Sequence, residues 1–186
     1  MNEVIQNILT RRSVRTYQEK QVSGEDLNAI LEAAKFAPSG MGKQCWHFTA
    51  IQNKEVIDKL VLTVKEALKK SEIEQLKKMA NNPAFNPFYN APTIVLTAYD
   101  RNAQTGMVDC AAALQNMFLA AHSLNIGSCW IQILAITCND PEVRSLLTEL
   151  GIPKDYDLCG TAALGYNSKE APKAAPRKEG IVTIIK

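Results

Sequence analysis

Apolar residues recur at helical spacing from the start of the chain, where Val4, Ile5, Ile8 and Leu9 share one face. A second stripe, Leu27, Ile30, Leu31 and Ala34, follows Ser23, whose hydroxyl can cap the free amide of Asp26. Pro38 closes that helix, and APSGMGKQ, with one proline and two glycines, reads as a loop. WHFTAI (46–51) alternates as a half-buried strand does. Residues 54–80 form a charged amphipathic helical stretch broken near Ser71. The turn-rich segment from Asn81 to Pro92 carries Phe85, Phe88 and Tyr89, and TIVLTAY (93–99) is apolar, β-branched and of strand length.

The stretch from Met107 to Leu124 is alanine-rich and apolar almost all round, so its helix is expected to be buried on most faces, with a partner subunit covering one side. Gly127 stops it, and CWIQIL follows, short and apolar. Asp140-Pro141 opens a further helix that ends at Gly151, since proline suits the first helical turn. DLCGTAALGY (157–166) reads as a strand, and the tail from Asn167 ends in the apolar run IVTIIK. Two or three strands thus alternate with helices, which predicts an α+β or α/β class without internal repeats.

Length and charge narrow the function. A chain of 186 residues suggests one domain, and 46% hydrophobic with 22% charged residues is the balance of a soluble globular protein. A net charge of +2 argues against a surface built for nucleic acid, so any basic feature must be local. No run approaches the roughly 18 apolar residues that span a membrane, and the N-terminus has no signal-peptide pattern, so a cytoplasmic location is expected. The five cysteines form no CxxC pair and read as buried reduced thiols. With only two histidines, no Cys/His set has zinc spacing.

The catalytic inventory is thin. There is no G-x-S-x-G, no GxGxxG after a strand and no Walker A sequence. Cys45 and His47 lie close, but no third group orients them for nucleophilic catalysis. A chain so poor in acid–base groups suits chemistry borrowed from a cofactor. TRRSVRTY (10–17) sets Arg11, Arg12 and Arg15 around Ser13. Guanidinium groups bind a near-dianionic phosphate bidentately, but the triplet alone equally describes a solvated charge patch or a short nucleic-acid contact.

Four blocks taken in order change that balance. TRRSVRTY, LEAAKFAPSGMGKQCWHF, VDCAAALQNMFLAAHSLNIGSCWI and TAALGYNSKEAPKAAPRK together resemble the nitroreductase family of FMN-dependent flavoproteins over nearly the whole chain. The resemblance implies one FMN-binding domain over 1–186, of α+β fold, with a central, mainly antiparallel sheet flanked by helices. It implies an intertwined homodimer with FMN at the interface and IVTIIK reaching the partner's sheet. It implies hydride transfer from NADH or NADPH through flavin N5 to a nitroaromatic or quinone, with no side chain required as catalyst. A specialised flavin-dependent dehydrogenase, or a flavin-binding module without NAD(P)H turnover, remains the alternative.

Residue by residue, the resemblance assigns Arg11, Arg12, Ser13 and Arg15 to the phosphate and the flavin's pyrimidine edge, and Arg177 to the phosphate. Pro38, Ser39 and Gly40 would reach the flavin from the other subunit, with Gln44 following. Trp130, Ile131 and Gln132 would lie along the isoalloxazine. No metal, membrane or nucleic-acid role is implied. Gly42, Cys45 and Gln132 depart from the family's usual Asn, Pro and Gly. Phe85, Phe88 and Tyr89 fit both a pocket lining and ordinary packing.

Overall fold

A computed structural model describes residues 1–186. Seven α-helices and four strands follow one another as α1 (Glu3–Thr10), α2 (Gly24–Lys35), β1 (Trp46–Ile51), α3 (Lys54–Lys69), α4 (Glu74–Asn81), β2 (Thr93–Asp100), α5 (Gly106–Ser123), β3 (Gly127–Ile131), α6 (Ile133–Thr137), α7 (Pro141–Glu149) and β4 (Tyr156–Gly165). The strands form one antiparallel sheet in the order β1-β2-β4-β3, an α+β architecture. The strand count exceeds the expected two or three because CWIQIL divides. Its first residues pair with β4, then the chain turns at Gln132 into α6.

The elements begin where local chemistry allows. Ser23 caps α2 by accepting from the Asp26 amide at 3.0 Å. Asn53 does the same for α3 through Val56, and Asp140 caps α7 with Pro141 at the first turn. The break between α3 and α4 falls at residues 70–73, around Ser71.

The sheet carries a core on each face. One packs α3, α6 and α7 around Leu60, Val64, Leu96, Leu134 and Leu147. The other packs α2 and α5 around Ile30, Val95, Cys110, Leu114 and Met117. β2 and β4, in the middle, are covered on both sides, which is why TIVLTAY is apolar without alternation. Small side chains let α5 lie close: a Cβ at Gly106 would come within 2.6 Å of the Tyr99 ring.

Leu114 is fully buried in this core of its own chain, and the Asn116 amide donates to Ala33 O of α2 at 3.0 Å. These two positions of α5 thus serve the chain's own packing. What α5 leaves uncovered is a stripe along its length, from Met107 (53% exposed) and Val108 (70%) through Ala111, Ala112 and Gln115 to Leu119 and Ser123, the side expected to meet a partner subunit. The apolar face of α1 (Val4, Ile5, Ile8, Leu9) and the terminal Ile181, Val182, Ile184 and Ile185 are exposed as well. Apolar surface of this extent marks an interaction site. No helix is long and apolar enough to cross a membrane.

Candidate functional site

After α1 the chain turns extended at Arg11 (φ −57°, ψ 135°) and runs beside β3. Ser13 bridges Ser128 in parallel, and the Val14 amide donates to Ser128 O at 2.9 Å. An extended chain alternates its side chains, so Arg11, Ser13 and Arg15 point one way and Arg12 and Val14 the other. Val14 is buried as an anchor. Arg12 donates to Leu9 O at 2.8 Å and Arg11 O at 2.7 Å, so its guanidinium serves the carbonyl end of α1. Arg11 sits 5.9 Å over the Phe118 ring and Arg15 5.8 Å over the Tyr89 ring.

No arginine of this segment has an acidic partner, since every ion pair in the protein lies elsewhere. Burial, then the charge of Arg12, lowers the pKa of Arg11. Burial pushes the neighbouring Cys129 thiol up, against the pull of Arg15 and Arg11. Beside them is a cavity of about 330 Å³ bordered by Arg11, Arg12, His122, Ser128 and Asn167. The Ser128 hydroxyl and the Asn167 side-chain oxygen are buried there without hydrogen-bond partners. Native interiors rarely leave such groups unpaired unless something else completes them.

Further along β3, Trp130 is 37% exposed and lies over Gly160, where a Cβ would come within 2.6 Å of its Nε1. The indole N–H donates to Gln132 Oε1 at 2.7 Å. Trp130, Ile131 and Gln132 line a cavity of about 120 Å³ with Phe85, Tyr89 and Met79. Phe85 and Tyr89 therefore border a pocket, whereas Phe88 is fully buried core.

The APSG loop lies elsewhere. The Gly40 amide donates to the Asp109 carboxylate at 3.2 Å, at the first turn of α5, and Gln44 N–H donates to Ser39 Oγ at 3.2 Å. Arg11 lies over Phe118 and near His122, which at about 1.5 Å per residue are about 14 and 20 Å along α5 from Asp109. Within one chain, Pro38, Ser39, Gly40 and Gln44 therefore do not meet Arg11, Ser13 and Arg15. Arg177 does not meet them either: the tail is exposed, and its guanidinium reaches only Ala175 O. Cys45 donates to Asp109, and His47 packs edge-on to Tyr156 at 6.5 Å, so the two form no nucleophile–base pair.

Asp109, Phe118 and Ser128 escape sequence reasoning. The one available signal is the lone Asp109 in the otherwise apolar VDCAAAL. His122 shares a hydrogen bond of 2.9 Å with Thr10 and borders the cavity of about 330 Å³.

Comparison with known proteins places this arrangement. The profile of the Nitroreductase family matches residues 8–166. A nitroreductase from Bacteroides fragilis with bound FMN superposes with a TM-score of 0.97 at 44% identity, covering 100% of both chains. The FMN reductase (NAD(P)H) of Bacillus subtilis is 29% identical over 93% of this chain and 69% of its own. The iodotyrosine deiodinase of Thermotoga neapolitana is 27% identical over 92% of each.

Proposed function

The chain belongs to the nitroreductase family, and on that footing we propose that residues 1–186 form one FMN-binding domain whose homodimer passes electrons from NADH or NADPH to an electron-poor small molecule such as a nitroaromatic or quinone. The observation that carries this reading is the β3 edge. Arg11 and Arg15 have neither an acid nor a hydrogen-bond acceptor, and a buried, unpartnered Ser128 hydroxyl borders the same cavity as Arg11. That is a donor set for a phosphate, which carries about −1.5 to −2 charge and several strong acceptor oxygens. The Bacteroides fragilis relative, which shares 44% of its residues, is described with FMN bound.

The residues divide the work as follows. Arg11 and Ser13 bind the phosphate end, joined there by Arg177 from the tail, and Arg15 holds positive charge beside the flavin's polar edge. Arg12 acts through α1, whose end it fixes. Trp130, Ile131 and Gln132 form the wall of the flavin site and keep water off one of its faces. Pro38, Ser39, Gly40 and Gln44 complete the site from the second subunit, because within one chain the loop is tied to Asp109 while Arg11 lies over Phe118, about 14 Å further along α5. The exposed apolar surfaces of α1, the first turn of α5 and IVTIIK supply the dimer contact. Bound FMN supplies two-electron transfer between nicotinamide and acceptor. The chain's five free thiols suit the cytoplasm.

Purified protein is expected to be yellow, with one FMN per chain, bleached by NADH or NADPH without oxygen and restored by a nitroaromatic. A colourless protein that takes up no FMN overturns the reading. Bleaching without reoxidation by nitroaromatics or quinones points to a specialised reaction instead, as the name of the deiodinase relative illustrates for its own case.

A further inference from the structure

We propose that Asp109 is a positioning residue: from inside its own chain it holds the Pro38–Gln44 loop in the shape that completes the flavin site of the partner subunit. This role rests on the two-subunit flavin site proposed above.

The loop adopts an unfavourable backbone. Met41 (φ 52°) and Gln44 (φ 49°) are left-handed without being glycine, and Gly42 (φ 67°) lies between them. L-residues avoid that region, and a loop keeps it only where its surroundings over-determine it. Yet the loop's other hydrogen bonds are internal, from Gly42 N to Ser39 O, Lys43 N to Gly40 O and Gln44 N to Ser39 Oγ. The hydrogen-bond link from residues 38–44 to the rest of the protein is Gly40 N–H to Asp109, to both carboxylate oxygens at 3.2 Å.

The anchor is itself well made. Asp109 is 5% exposed, and Thr105 Oγ1 and Cys45 Sγ donate to its Oδ2 at 3.0 and 3.5 Å. A carboxylate in the first turn of a long helix also meets the positive end of the helix dipole. Cys45 stays a protonated donor, because burial and then its hydrogen bond to Asp109 raise its pKa. Gly40 has no room for a side chain, as a Cβ there would collide with the Thr105 hydroxyl. Three donors, Gly40 in the loop, Cys45 directly after it and Thr105 at the start of α5, thus converge on the one carboxylate under the loop.

Amide hydrogen exchange across residues 38–45 in FMN-free protein, with FMN titration of the same preparations, tests this. Asp109→Ala is expected to speed exchange at Gly40 at least tenfold and weaken FMN at least tenfold. Asp109→Asn, which keeps one acceptor oxygen and the side chain's shape, should do both to a smaller degree and remains readable if the alanine variant folds poorly. Arg11→Ala should weaken FMN while leaving loop exchange unchanged. Coexpressed Asp109→Ala and Arg11→Ala chains should recover FMN in half of the sites of mixed dimers, because one site carries both lesions and the other neither. A purely structural lesion would recover nothing, and that result overturns the proposal. Unchanged exchange at Gly40 in both Asp109 variants also overturns it, as does faster exchange with wild-type FMN affinity. A wild-type protein that takes up no FMN overturns the flavin reading and this proposal with it, and is told apart by the wild-type titration alone.

Discussion

At the N-terminal end of α5 the buried carboxylate of Asp109 receives hydrogen bonds from Gly40, Thr105 and Cys45. Past the C-terminal end, along β3, Arg11 and Arg15 meet no acid and no acceptor, and the Ser128 hydroxyl is buried without a partner. Asp109 and the half-buried Arg11 both hold charge partly away from bulk water, while Arg15 is exposed, and only Asp109 is satisfied by its own chain. A buried or half-buried charge is costly until paired. The difference teaches that the first end is a finished part of the fold, while the second is finished by what it binds.

The strongest way to break this contrast is to keep the two ends of neighbouring chains apart. Val108→Asp places a charge on an exposed apolar turn, where it should cost the fold little because Val108 is 70% exposed. We expect a monomer by light scattering and FMN binding weakened by about a thousandfold, roughly 4 kcal/mol. A monomeric variant that keeps its flavin would show that the ends need not meet. Arg11→Ala comes next: losing charge-assisted hydrogen bonds to a phosphate should weaken FMN by about a hundredfold, or roughly 2–3 kcal/mol. Melting of the FMN-free protein should fall little, because the guanidinium loses only its contact over Phe118; a large drop would mean that this end, too, is finished.

Gln132 tests the wall between the ends. Its Oε1 accepts from Trp130, which leaves its amide NH2 as a donor beside Phe85 and Tyr89. Gln132→Leu should lower kcat/KM for a quinone by about tenfold or less, the scale of one hydrogen bond at ~1 kcal/mol, with a smaller loss of FMN affinity than Arg11→Ala. Tryptophan emission should shift in the same variant as the indole N–H loses its acceptor.

The smallest effect concerns His122. Burial, then the charges of Arg11 and Arg12, lower its pKa. The unfolded chain therefore takes up the proton first, and stability is fully present above the ordinary histidine value of about 6.5 and declines as pH falls from there toward the lower folded value. Melting of FMN-free protein should show this decline, His122→Gln should remove it, and bound FMN should shrink it by countering the arginine charge. An identical pH profile in the His122→Gln variant would take His122 out of the comparison.

Much of the fold was legible from periodicity. The β1 alternation, the break near Ser71, the Ser23 cap and the start of α7 at Pro141 all follow from residues within a few positions of one another. The turn at Gln132 was not, because an apolar run as short as CWIQIL suits a strand or a helix equally, and only pairing with β4 decides where the strand stops. The apolar character of α5 was plain, but not which surface it served. Leu114 faces its own sheet, and the free surface is the opposite stripe, from Met107 and Val108 through Gln115 to Leu119 and Ser123.

The candidate site divides in the same way. The sequence by itself determined its vocabulary: guanidinium groups around Ser13, a loop rich in glycine and proline, and the helix and strand periods that carry them, all set by local propensity and spacing. The division of labour among them was decided only by the tertiary structure. Arg12 turns back to α1, Arg11 and Arg15 stay unpaired, and Asp109 receives Gly40 from 69 residues away. Those outcomes depend on which distant groups the sheet and α5 bring within hydrogen-bond reach, and no local pattern encodes a partner that far along the chain.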